Sequence, residues 1–178
     1  MTPVRAADLA CGAIALLLIA FPAAGAKRGA STPKERARLV RTVHELEADP
    51  LSGHAHDDRR WLTFLLLEAP DLRVDLCPEL LGGTAAERKR IPSEVVVQMM
   101  YSGAAFLLEH PVEAKSSEAV HLAGLLGALE VYEAMLVKQP WIRSALLDGL
   151  LKEREAGALP ARVAAGISAC LHGKSETS

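Results

Sequence analysis

The chain has few aromatic residues, only three cysteines and no block of like charge. Trp, Tyr and Phe together make up 4% of it, which leaves no stacking platform for bases or sugars. Leu and Ala are abundant instead, and that balance favours helix over sheet. The 20 basic and 22 acidic side chains nearly cancel, to a net charge of -2, so the basic surface that a nucleic-acid partner demands is missing. Catalytic signatures are missing too. There is no GxSxG elbow, phosphate-binding glycine loop, HExxH helix or paired-carboxylate constellation, so no catalytic residue is assigned and the reading is non-catalytic.

What is present begins at the N-terminus. Arg5 and the amino terminus supply positive charge, partly offset by Asp8, and Leu9 to Phe21 form an uncharged apolar run that Pro22 ends. Ala24-Gly25-Ala26 is a small-x-small site followed by the polar Lys27-Arg28. This is the pattern of a cleavable secretory signal peptide over residues 1–26, with the cut between Ala26 and Lys27. The expected location is the periplasm or the cell exterior. Because the uncharged stretch approaches the ~20 residues that span a bilayer, the alternative is a retained anchor, and a membrane enters as a partner only in that case.

Export also settles the cysteine arithmetic. Cys11 leaves with the signal, and Cys77 and Cys170 remain as an even pair in an oxidising compartment, where a disulfide is expected. It would close a loop of about 90 residues, worth about 4 kcal/mol in the chain-entropy account.

After a linker at 27–30, one helical domain is expected over 31–173, with a flexible tail at 174–178. Ser31 or Thr32 caps a first helix opened by Pro33, with Leu39, Val40, Val43, His44 and Leu46 at helical spacing; Asp49-Pro50 stops it. The second helix carries Trp61, Leu62, Phe64, Leu65, Leu66 and Leu67, is apolar nearly all round, and is expected to be central. Residues 71–77 alternate with period two and read as an extended connector, with Leu72, Val74 and Leu76 facing the core.

Pro92-Ser93 opens a helix to about His110 with Val96, Met99, Met100, Gly103, Phe106 and Leu107 inward. The longest helix runs from about Ser117 to Lys138, where Ala123, Gly124, Gly127 and Ala128 let a neighbour approach closely, while Glu130 and Glu133 argue against a membrane span. Further helices start at Pro140 and Pro160. The fold class is therefore all-α, an irregular or orthogonal bundle of about six or seven helices.

The densest cluster of chemistry-bearing side chains is His54-Ala55-His56-Asp57-Asp58, where His54, His56 and Asp58 could share a divalent ion, the one cofactor the sequence suggests. In five of six positions this segment resembles the HxHxDH motif of metallo-β-lactamase-fold hydrolases, with Arg59 in the place of the last ligand histidine. That resemblance implies a metal-dependent hydrolase using His54, His56 and Asp58. Ala128, Tyr132 and Pro140 are similar in spacing to the second helix of a tetratricopeptide repeat, which implies a helical interaction protein. His44, His110 and His121 are read as structural. The leading expectation is an exported, disulfide-stabilised helical domain that binds a protein or a small ligand.

Overall fold

The computed structural model describes residues 28–172; the expected signal segment, its Ala26/Lys27 cleavage site and the tail at 174–178 lie outside the described residues. Among the described residues the chain forms seven α-helices and no strand, the expected all-α class. Helix α1, Pro33–Ala48, starts at a capping box: the Glu35 N–H donates to the Thr32 hydroxyl, and the Thr32 N–H donates back to the Glu35 carboxylate. Ser31 has a different role. Its N–H and hydroxyl both donate to Asp71, each at 2.7 Å, and fasten the start of α1 to the chain that follows α2.

Helix α2, Ala55–Glu68, buries Leu62, Leu65 and Leu66, but Phe64 is 58% and Leu67 75% exposed. It is therefore peripheral rather than central. Its buried stripe joins Leu39, Val43 and Leu46 of α1 in one core cluster, and a tight polar contact anchors it to the following helix pair: the Tyr101 hydroxyl lies 2.7 Å from Thr63 Oγ1 and donates to the Arg59 carbonyl. In the connector at 71–77, Leu72 and Cys77 are buried and Val74 is half-buried, but Leu76 is exposed, contrary to the alternation. The period breaks because Cys77 turns inward to reach Cys170.

A 3-10 turn at Pro78–Leu81 leads to the short helix α3, Ala85–Arg88, which has its own capping box between Thr84 and Glu87. The main scaffold is the pair α4, Ser93–Glu109, and α5, Ser117–Lys138, the most extensive helix contact in the molecule. Gly124 makes that contact possible, since a Cβ there would strike the Met99 carbonyl. Helix α5 is long and apolar enough to cross a membrane, yet over half of its apolar window is buried inside the bundle.

Helix α4 buries more of its circumference than one stripe would. Met99 and Gly103 are inward as expected, and Val95, Gln98, Tyr101, Ser102, Ala104 and Ala105 are buried as well, while Val96, Met100, Phe106 and Leu107 are only half-buried. The reason is that α4 divides two cores. Val95 and Met99 pack with α5, α6 and α7, whereas Tyr101, Ala104 and Ala105 pack with α1 and α2.

The helix expected from Pro140 is broken into a 3-10 turn, Pro140–Ile142, and α6, Ala145–Glu155. The Tyr132 hydroxyl holds the break open: it accepts the Ser144 N–H at 2.8 Å and donates to Asp148 at 2.8 Å. Gly157, at φ +68, turns the chain into α7, Leu159–His172. Cys77 and Cys170 are joined as a disulfide with a Cα–Cα distance of 5.8 Å, so α7 is covalently tied to the connector 93 residues upstream.

Candidate functional site: a histidine–carboxylate cavity between α1, α4 and α5

Of the three candidate ligands in the His-Ala-His-Asp-Asp segment, the structure sets His56 apart from His54 and Asp58. His54 is the residue before α2 and makes no side-chain cap hydrogen bond. His56 is 89% exposed, with only its neighbour Asp57 nearby, at 3.6 Å. Asp58 leans back toward Arg38, 4.0 Å away, and lines a cleft with His54 that His56 does not enter. Arg59 is half-buried and donates to the Pro50 carbonyl at 2.8 Å, which ties α2 to the preceding turn. Among the described residues, the one group of three ligand atoms close enough to share an ion is Cys77, Glu79 and Cys170, and its two sulfurs are already bonded to each other.

Other side chains do converge. His44 and Glu47 of α1, Ser102, Phe106 and Glu109 of α4, and Glu130 of α5 line one cavity of about 330 Å³. His44, 54% exposed, bridges two of these carboxylates, with Nδ1 2.8 Å from Glu47 Oε2 and Nε2 3.0 Å from Glu109 Oε1. Both neighbours are carboxylates, which only accept, so both ring nitrogens donate and the ring is an imidazolium in this arrangement. The Glu109 hydrogen bond is the larger cause that holds the His44 pKa above its ordinary 6.5; partial burial opposes it and Glu47 adds to it.

Glu47 is the anchored member. Its side chain is 11% exposed, and its second oxygen accepts the Ser102 hydroxyl at 2.6 Å. Ser102 in turn accepts an amide N–H from the fully buried Gln98 at 3.2 Å. The other amide atom of Gln98, Oε1, is buried without a partner, an uncommon and costly state for a polar group. The fold thus accepts an orphaned acceptor while fixing the orientation of Ser102 against Glu47.

Gly127 completes the arrangement. A Cβ at that position would collide with Ser102 and come within 2.6 Å of Glu47 Oε1, so the absence of a side chain on α5 is what admits this polar triad. Glu130, one turn on, has its pKa raised first by burial and then by repulsion from Glu47. Two cations oppose that rise, Arg154 first and His44 second, and Arg154 is itself held by both oxygens of Glu133 at 2.7 and 2.9 Å. Three carboxylates therefore face one imidazolium, and Phe106, stacked on His110 with centroids 4.7 Å apart, supplies an aromatic wall.

The sequence held a partial sign of this site. His44 and Glu47 are three residues apart on one helix face, and Glu130 interrupts the apolar run of α5. Ser102 and Gln98 carried no such sign, because a buried polar side chain is recognisable only once its partners are placed. Another cleft of about 370 Å³ lies beside Trp141, lined by Glu87, Arg90 and Arg143; there Arg143 pairs with Asp148 at 3.3 Å and Glu87 is held in its capping box. No protein-family model matches the chain, and comparisons with characterised proteins and with solved structures also find no match, so the geometry of this cavity is the basis for a functional reading.

Proposed function

We propose that this chain is an exported, disulfide-stabilised helical binding protein of the periplasm or cell exterior, non-catalytic, with the α1/α4/α5 cavity as its binding site. The observation that carries the binding reading is the concentration of Glu47, Glu109 and Glu130 around one cavity in which His44 bridges two of them. A cavity of about 330 Å³ suits a small ligand, and the polar groups that would orient it are fixed on helices rather than loops. The export reading is supported by the N-terminal charge, apolar and small-residue pattern and by the Cys77–Cys170 bond, which fits an oxidising compartment.

Expression of the full chain in a Gram-negative host, followed by mass measurement of the protein in the osmotic-shock fraction, tests export. The expected species begins at Lys27 and has no free thiol. A cytoplasmic protein that retains Met1 and three alkylatable cysteines would refute the export reading. Two-dimensional NMR with a fragment mixture tests the cavity: shifts should concentrate on His44, Ser102, Phe106 and Gly127, and shifts only elsewhere would refute the site.

A further inference from the structure

His44 shows how the cavity holds a cation. Its ring presents two N–H donors about an imidazole's width apart and a delocalised positive charge, and each donor meets a carboxylate, one from α1 and one from α4. The side chain is 54% exposed, so it can swing out to solvent without breaking a core contact, whereas the Glu47 it leaves behind is fixed by Ser102 and cannot follow. Amidinium and guanidinium groups share the imidazolium's two features, paired N–H donors and a spread charge.

We propose that His44 is an internal counter-cation and that the cavity's ligand is an organic cation, an amidinium or guanidinium on an apolar body, that displaces it; this rests on the binding reading above. Above the ordinary imidazole pKa of 6.5 the displaced ring gives its proton to solvent once it has lost both carboxylates, and the ligand's N–H groups replace its two donations to Glu47 and Glu109. The apolar body lies along Phe106, Ala105 and Leu126, which line the same cavity. A bare metal ion fits less well, because the ligand atoms of His44, Glu47, Glu109 and Glu130 do not draw together tightly enough to share one.

Proton and ligand compete for the same carboxylates, so affinity must rise with pH as His44 gives up its proton. The charged and titratable groups that face His44 are Glu47 from its own helix, Glu109 at the end of α4 with His110 just after it, and Glu130 from α5, with Arg154 behind them on Glu133. All the acidic groups favour a bound cation, and Glu130 adds to the field without contacting His44.

The test is calorimetric titration of the disulfide-bonded protein with benzamidine, its neutral isostere benzamide, Ca²⁺ and Zn²⁺, at about pH 5.5 and about pH 8. Benzamidine should bind saturably, about tenfold more tightly at the higher pH, and benzamide should not bind. E109Q should weaken benzamidine about tenfold or more, while H44Q should bind it with the pH dependence largely removed. E130Q, which leaves both His44 contacts intact, should weaken it by a smaller factor and guards against misfolding of the other variants. Equal binding of benzamide and benzamidine would overturn the cation chemistry while leaving the cavity a binding site. Absence of benzamidine binding, binding indifferent to E109Q and E130Q, or a divalent ion as the better ligand would also overturn it. An unchanged pH dependence in H44Q would overturn the role of His44.

Discussion

Glycine substitutions separate the residues that make the site from those that merely occur in helices. At Gly127 an added methyl group meets Ser102 and Glu47, so G127A is expected to cost about 1–3 kcal/mol, the range for overpacking. Gly149 in α6 has nothing within 4 Å of its would-be Cβ, and G149A should stabilise by about 0.5–1 kcal/mol through helix propensity. Urea melts of the two variants should therefore move in opposite directions, and a loss at Gly149 as large as at Gly127 would contradict this account. His44 gives a pH signature. Its folded pKa lies above the ordinary 6.5, so its stabilising contribution is complete below about 6.5 and disappears as pH rises through the folded value. H44A should be less stable than the parent in mildly acidic buffer and converge with it in alkaline buffer. Parallel melting curves across that range would show that the His44 bridge does not couple to folding.

At the scale of elements, the opposing roles of exposed and buried stripes on α2 can be read by mutation. L62A, at a wholly buried position, should cost about 2–5 kcal/mol, while F64A and L67A should change stability by no more than about 0.5 kcal/mol. Denaturant midpoints with unchanged slopes would establish the difference; comparable losses at Phe64 and Leu62 would mean that α2 is covered on both sides. The same helix shows why hydrophobicity alone misplaces an element. Trp61 to Leu67 are apolar nearly all round, and that pattern reads as central, but α4 and α5 already fill the centre and leave α2 one face to bury. Helix ends were more legible. Pro33 after Thr32 marked the start of α1 correctly, whereas the equivalent Thr84–Glu87 box of α3 carried the same chemistry but no apolar periodicity to draw attention to it.

For the whole molecule, the Cys77–Cys170 bond is the long-range constraint, because it joins α7 to a connector that carries no regular hydrogen bonding of its own. The double variant C77S/C170S should lose about 2–4 kcal/mol, measured against the oxidised parent, and the loss should vanish when both are compared under reducing conditions. Equal stability in oxidising buffer would show that the bond forms without constraining the unfolded chain. The pH dependence of global stability has two opposing sides. Asp49 and Glu153 are held below their ordinary values mainly by Lys138 and Arg162, and Glu35 and Glu87 by their capping boxes, so their contributions disappear as pH falls through those lowered values. His44 and Glu130 act in the other direction, since both are raised and both lose their contribution as pH climbs.

By itself the sequence determined the helical class, the helix starts at Pro33 and Ser93, the extent of α5 and the pairing of Cys77 with Cys170, because each follows from local rules: caps, helical spacing and the count of the two cysteines that lie beyond the N-terminal apolar run. It also directed attention to His54, His56 and Asp58, of which His54 and Asp58 line one cleft while His56 stands out in solvent. Only the tertiary structure could bring His44 to Glu109, 65 positions later, or Glu47 to Ser102, 55 positions later, across an opening left by a glycine on a third helix. Proximity along the chain is a matter of spacing, but a binding cavity is made where separate helices cross, and the packing of α4 against α5 decides where that is.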